Sequence, residues 1–360
     1  MPLLSLERPA VRAALRWLPA ALAVAALAAF PLLVTKPYPI NMGVVLFLAV
    51  LMGSAWNVLG GYAGQYSVGH AAYFGVGAYT AVILFERFQV APWFGLPAAM
   101  LAAVLVGVVI GSITFRLRGP YFVLASIAVA EIIRLAALHF RSVTNGAEGF
   151  VIASAPTLQV FGLELSFGTK RSFYWLTLAL AVAAVLVSRA VLRRRLGYSL
   201  LAIREDQDAA HSLGIGLAWN KNLALAISAA LTGLAGAVFA GYTRFIDPSA
   251  AFGLDVSVRM VLVCLVGGIG RVEGPIIGAA ILVPLEEVLR NPGGLVTVGL
   301  LPRGSELVAF VGTWISPAHL LVDGLIMVLV ILFAPEGVAG LLRRLRARRE
   351  TAAEVPSPAP

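Results

Sequence analysis

Long apolar runs follow one another along the chain, separated by short polar breaks. The hydrocarbon core of a bilayer takes about 20 mainly apolar residues per helix. Stretches of that kind fall near 17–34, 41–60, 65–85, 93–115, 120–139, 172–191, 221–245, 256–269, 275–290 and 319–334. The runs are continuous, not alternating, which predicts helices and argues against the strands of a barrel. The pattern therefore predicts an all-α, polytopic integral membrane protein with about ten transmembrane helices. The two runs flanking Gly267–Pro275 are short. Arg8, Arg12 and Arg16 give the first run the basic flank of a signal peptide. Its apolar stretch is long and no clear cleavage site precedes the next run, so a retained helix is expected.

Composition agrees. The chain is 60% hydrophobic and 12% charged, whereas soluble domains are about 45–50% apolar and about 25% charged. A soluble fold could not hide this much apolar surface, so a soluble enzyme or binding module is excluded, and so is disorder. The single cysteine, Cys264, excludes a disulfide framework and a multi-cysteine metal site.

A net charge of +9 suggests nucleic acid, but the basic residues lie where membrane topology wants them. With the N-terminus inside, 17 of the 27 Lys and Arg fall in inner segments, among them Arg116, Arg118, Arg193, Arg194, Arg195, Arg204, Lys221 and Arg271. Both termini are expected in the cytoplasm. Arg343–Arg349 reads as an anchor on anionic lipid, and no nucleic-acid partner is expected. The expected organisation is a cytoplasmic segment 1–16, a transmembrane domain 17–340, and a basic, then Pro/Ala-rich cytoplasmic tail 341–360.

Three connections stand out. The outer loop at about 140–171 is rich in Gly, Ser and Thr. The inner loop at about 192–220 carries Arg204, Glu205, Asp206 and Asp208 among apolar Leu200, Leu201, Ile203, Ala209, Ala210 and Leu213. That spacing suits a short amphipathic helix beneath the membrane, a solvated connector being the alternative. The outer segment from Asn291 to Pro317 is punctuated by Gly and Pro and has the texture of a re-entrant or surface helix.

Several chemistries are missing. None of the three lysines, Lys36, Lys170 and Lys221, follows a glycine, so there is no P-loop to cradle ATP. The histidines are far apart and no HExxH pair exists, so no metal site is expected. Gln65 stands where a nucleophile elbow around Ser67 would need glycine. No catalytic residues are assigned.

Polar residues within membrane spans are costly and are usually functional or paired. The densest cluster holds Asn57, Gln65, Ser67, Gly69 and His70, with further glycines at Gly61, Gly64, Gly75 and Gly77. Such a segment either breaks a helix so that backbone lines a solute pathway, or lets helices pack closely. Glu131 and Arg134, three apart in the fifth span, share a helix face; mutual pairing is expected, a solute-carboxylate role for Arg134 being the alternative. Gly107/Gly111 and Gly274/Gly278 have close-packing spacing. A polar, glycine-rich middle without a nucleotide site describes a transporter whose motor is elsewhere. A separate ATPase would push on a protruding inner element, which the acidic inner loop supplies. A standalone ion-coupled carrier is the alternative, although Glu131 is the one mid-membrane carboxylate it would have.

The motifs resemble one family. The segment NVLGGYAGQYSVGHAAYFGVGAY (57–79) is similar to the signature of branched-chain amino-acid ABC-importer permeases. So are Arg118-Gly119-Pro120-Tyr121-Phe122, the Glu131–Arg134 turn, Thr144-Asn145-Gly146-Ala147-Glu148-Gly149, and Val266–Gly270 followed by Glu273-Gly274-Pro275. The chain most resembles the M-type, LivM-like subunit. Asp208-Ala209-Ala210 with Gly214 resembles the EAA-x-x-x-G loop, which in that family is a coupling helix seated on an ATPase. The resemblance implies an inward transporter in the bacterial cytoplasmic (inner) membrane, with no cofactor of its own. Its implied partners are a second, H-type permease, two ATPase subunits that use ATP and Mg, and a periplasmic or external binding protein docking at Asn145, Gly146 and Glu148. Its implied coupling residues are Arg204, Glu205, Asp206, Asp208, Ala209, Ala210 and Gly214. The same family includes importers of urea, short amides and aromatic acids. Tyr66 departs from the leucine usual in the signature.

Overall fold

The computed structural model describes residues 9–34, 36–152, 157–160, 163–166 and 169–291, with scattered positions beyond. The run expected at 319–334, the outer segment 291–317, residues 1–8 and the tail from 341 fall outside the described residues, save for those scattered positions.

Helix α1 spans Pro9–Leu33, and α2 (Pro37–Trp56) runs straight into a π turn, Asn57–Tyr62. There follow α3 (His70–Phe88), α4 (Pro92–Thr114), α5 (Pro120–His139) and the short α6 (Arg141–Thr144). A 3-10 turn (Gly146–Glu148) leads to β1 (Phe150–Val151) and a hairpin of β2 (Thr157–Val160) and β3 (Leu163–Ser166). Helix α7 (Lys170–Arg193) enters the inner loop, which holds α8 (Arg195–Glu205) and α9 (Gln207–Ser212). The chain continues through α10 (Leu217–Thr243), β4 (Phe245–Ile246), α11 (Pro248–Phe252), α12 (Leu254–Gly267) and α13 (Gly274–Arg290). Proline opens α2, α4 and α5, where its missing N–H is one the helix leaves unpaired anyway.

The helices match the apolar runs. Among the described residues, six segments are long and apolar enough to cross a membrane: Pro37–Tyr62, Pro92–Thr114, Pro120–His139, Lys170–Arg193, Leu217–Thr243 and Pro248–Gly267. The clearest departure lies in the third run. Its helix starts at His70, not near 65, because residues 63–69 form an irregular break between α2 and α3. Gly64 there has φ +65°, a conformation that glycine adopts at little steric cost. The inner loop forms two short helices in place of the single one its apolar spacing suggests, split at Asp206.

Burial separates central from peripheral helices. Of the apolar stretches, 78% of α2 with its π turn and 72% of α10 is buried, against 22% in α4 and in α5. Leu101, Leu105, Val109 and Ile113 of α4 lie exposed in a stripe one turn apart, the surface a helix offers to lipid. Helix α10 lies against α3 at backbone distance. A Cβ on Gly77 would strike the backbone of Gly233, and one on Gly236 the carbonyl of Phe74. The Gly274/Gly278 spacing does the same for α12 and α13, with Gly278 against the Val263 carbonyl and Gly274 against Gly268.

Helix alternation gathers the connections at two ends. At one end Arg118 meets Asp208, Arg204 meets Gly61, and Asn57 meets Arg271. This is the end the charge distribution assigns to the cytoplasm. At the other end β1 pairs antiparallel with β4, Phe150 opposite Ile246 and Val151 opposite Phe245. That ribbon fastens the outer loop to the end of α10.

Candidate functional site

The break between α2 and α3 is the junction of the inner end. Asn57, fully buried, spans two elements: its Oδ1 accepts from the Gly270 N–H at 2.8 Å and its Nδ2 donates to the Arg271 carbonyl at 2.8 Å. It thereby clamps the turn between α12 and α13. The Trp56 indole donates to the Ser67 carbonyl at 2.7 Å, and Val68 N–H donates to Ser126 Oγ of α5 at 3.0 Å. Gly69 lies against the Ser126 backbone, leaving no room for a Cβ. Gln65 turns inward and donates to the Ala63 carbonyl at 3.3 Å.

His70 and Ser228 of α10 form a buried pair at 2.8 Å, and Ser228 Oγ donates its one proton to the Ala55 carbonyl at 2.6 Å. The imidazole must therefore carry its proton on Nε2 and donate it to the serine. Among residues 57–70, Tyr66 is the exposed side chain, its ring stacked 6.2 Å from that of Trp56. The polar cluster thus holds helices together, and an aromatic face is what it turns outward.

The inner loop is built as a capped, projecting element. Asp206 Oδ1 accepts from the amides of Asp208 at 2.8 Å and Ala209 at 3.0 Å, capping α9. The Ala209 and Asp208 amides hold this carboxylate below the usual aspartate range. At the other end Gly214, with φ +82°, donates to the His211 carbonyl while Ile215 donates to that of Ala210, a Schellman closure. Ala210 is buried, whereas Ala209, Arg204, Glu205 and Asp208 are exposed. Arg118, at the foot of α5, holds both Asp208 oxygens at 2.9 and 3.0 Å. Lys221 of α10 is 2% exposed and donates to Gln207 Oε1 at 2.9 Å.

In the sequence alone Arg118 and Lys221 mark topology. Their bonds to Asp208 and Gln207 depend on which loops meet, and helical periodicity does not carry that information. The one signal near Arg118 was its place in the Arg-Gly-Pro run.

On α5 the expected ion pair forms: Arg134 donates to Glu131 at 2.9 and 2.6 Å. It lies on an open face together with Tyr121, Leu124, Ile132 and Leu135. At the outer end Asn145, in the left-handed region, donates to the Gly149 carbonyl at 3.0 Å, and Thr144 Oγ1 donates to the carbonyls of Ala137 and Phe140. Gly146 is buried in this turn, while Asn145 and Glu148 face out. Among the described residues, no group of His, Cys, Asp and Glu is placed to hold a metal ion.

These features define a polytopic membrane protein whose inner loop is tied to a broken central helix. Residues 38–331 match the family described as branched-chain amino acid transport system, permease component, and the chain belongs to it. It is similar to the high-affinity branched-chain amino acid transport system permease protein LivM of Escherichia coli strain K12, with 30% identity over 284 residues, 73% of this chain and 66% of that protein. The probable branched-chain amino acid transport permease protein LivM of Methanocaldococcus jannaschii is 24% identical over 246 residues, 67% of each chain. The autoinducer 2 import system permease protein LsrC of Salmonella typhi is 29% identical over 143 residues, 35% of this chain and 40% of that one. The chain spans just under two thirds of the length of the E. coli relative. No solved structure matches it.

Proposed function

We propose that this chain is a permease subunit of an ATP-binding cassette importer, moving branched-chain or similar hydrophobic amino acids inward across a bacterial cytoplasmic membrane. Family membership over residues 38–331 supports the transport role. The observation that carries the ATPase-driven reading is α9: an acid–Ala–Ala helix, capped by Asp206 and closed by Gly214, with Ala209 exposed at the inner end. A small exposed residue permits close docking, and the acids suit a basic groove. Two ATPase subunits would bind ATP and Mg; a second, H-type permease would complete the route; an external binding protein would dock at the turn bearing Asn145 and Glu148. Asn57, Gln65, Ser67, Gly69 and His70 frame the route, and Tyr66 with the Glu131–Arg134 face of α5 borders it. Even a paired charge is costly against lipid chains, which supports placing that face against protein or solute.

Gentle solubilisation of the tagged chain from its own membranes, with mass spectrometry of what co-purifies, tests this. Two P-loop ATPases and a second glycine-rich permease are expected. A chain that purifies alone, in a detergent that keeps a known ABC importer whole, points to a self-sufficient ion-coupled carrier.

A further inference from the structure

A helix leaves its last four carbonyls without intrahelical partners, and a cation near that end is favoured by the helix dipole. At the end of the α2 π turn, the Gly61 carbonyl is met by Arg204 of α8, whose Nη1 donates to it at 2.8 Å. The arginine reaches that carbonyl between two glycines. A Cβ on Gly64 would lie 3.1 Å from the Arg204 Cγ, and one on Gly270 would strike the guanidinium. Gly270 is itself held by Asn57 of the π turn. One side chain of the inner loop therefore touches both the end of α2 and the α12–α13 turn.

The remainder of α8 meets the same region through apolar contact. Leu200 is buried in a cluster with Val58, Leu59 and Tyr62. Apolar contact is non-directional and lets a helix slide, whereas a charged hydrogen bond fixes its register. The neighbouring α9 is tied elsewhere, to α5 by Asp208–Arg118 and to α10 by Gln207–Lys221.

We propose that Arg204 is the positioning residue that carries displacement of the inner loop to the broken end of α2 and the α12–α13 turn. The proposal rests on the importer reading above. It makes the link from α8 to the break a point contact, separable from ATPase docking on α9. Loss of Arg204 then uncouples hydrolysis from transport, whereas a purely structural role lowers both together.

The test uses the complete importer in proteoliposomes, with its binding protein and radiolabelled leucine as the probe. Leucine uptake and ATP hydrolysis are measured in the same vesicles. In Arg204→Met the leucine moved per ATP is expected to fall about tenfold, the equivalent of one charge-assisted hydrogen bond, with hydrolysis within about twofold of wild type. Arg204→Lys, which keeps a cation on a similar reach, is expected to retain more than half of the wild-type ratio; it carries the test if the methionine variant does not assemble. An unchanged ratio in Arg204→Met, or a ratio in Arg204→Lys below half of the wild-type value, overturns the assignment. A wild-type complex without ATP-dependent uptake overturns the importer reading, and the assignment with it.

Discussion

Gly214 stands at φ +82° with nothing within 4 Å of where a Cβ would be. A side chain there is therefore opposed by backbone strain alone, about 1–2 kcal/mol for an L-residue in the left-handed region. Gly214→Ala is expected to loosen the end of α9 and to lower ATP-driven uptake, with Gly214→Asn milder because asparagine tolerates that region. Uptake at matched membrane levels checks this; an alanine variant indistinguishable from wild type would show that the geometry of the cap is dispensable. The adjacent alanines separate docking from folding. Ala210 is buried and Ala209 exposed. Ala209→Arg is expected to lose uptake while the solubilised chain keeps its thermal stability, and Ala210→Arg to lose both. At Asp206 the pKa is lowered by bonds made only in the folded helix, so the cap is fully present above the ordinary aspartate range, near 3.9, and is lost as pH falls through the lowered native value. Between pH 5 and 8 it stays intact. Amide exchange at Asp208 and Ala209 is expected to rise in Asp206→Ala and to stay low in Asp206→Asn, which can also cap.

At the scale of elements, the contact between α3 and α10 depends on two backbones meeting without side chains between them. Gly77→Leu would drive a side chain into Gly233, an overpacking that costs about 1–3 kcal/mol. A lowered melting temperature in detergent is expected, while Gly119→Ser, at a turn with open space around it, tests strain without a clash. The helices themselves were legible in the sequence. The run read at 120–139 is α5 to the residue, and those read at 93–115 and 172–191 differ from α4 and α7 by one or two residues at their ends. Continuous apolarity over a membrane's thickness leaves few other readings. The break was legible as one of two readings of the glycine-rich segment, but its bounds at 63–69 were not, because apolar periodicity does not register a glycine at φ +65° or a serine carbonyl taken by an indole. Partnerships across the fold were legible only within one helix. Glu131 and Arg134 lie three apart, whereas Asn57 finds Arg271 across 214 positions.

For the molecule as a whole, the decisive surface is the open face of α5. The helix is tied at its foot by Arg118 to the inner loop and through Ser126 to the break, yet little of its apolar stretch is buried. Its outward residues mix Leu124, Ile132 and Leu135 with an ion pair, a composition unsuited to lipid chains. The pair either satisfies itself or offers Arg134 to a solute carboxylate, and the bidentate geometry favours the first. If so, Glu131→Gln and Arg134→Gln each lower assembly and uptake, the arginine-retaining variant more because it leaves a cation unpaired in the membrane. The exchanged double variant, Glu131→Arg with Arg134→Glu, then restores both, since residues three apart still face one another. If Arg134 instead serves the solute, the exchange restores assembly but not uptake. Co-purification of the complex and uptake, measured on the same three variants, separates the two roles.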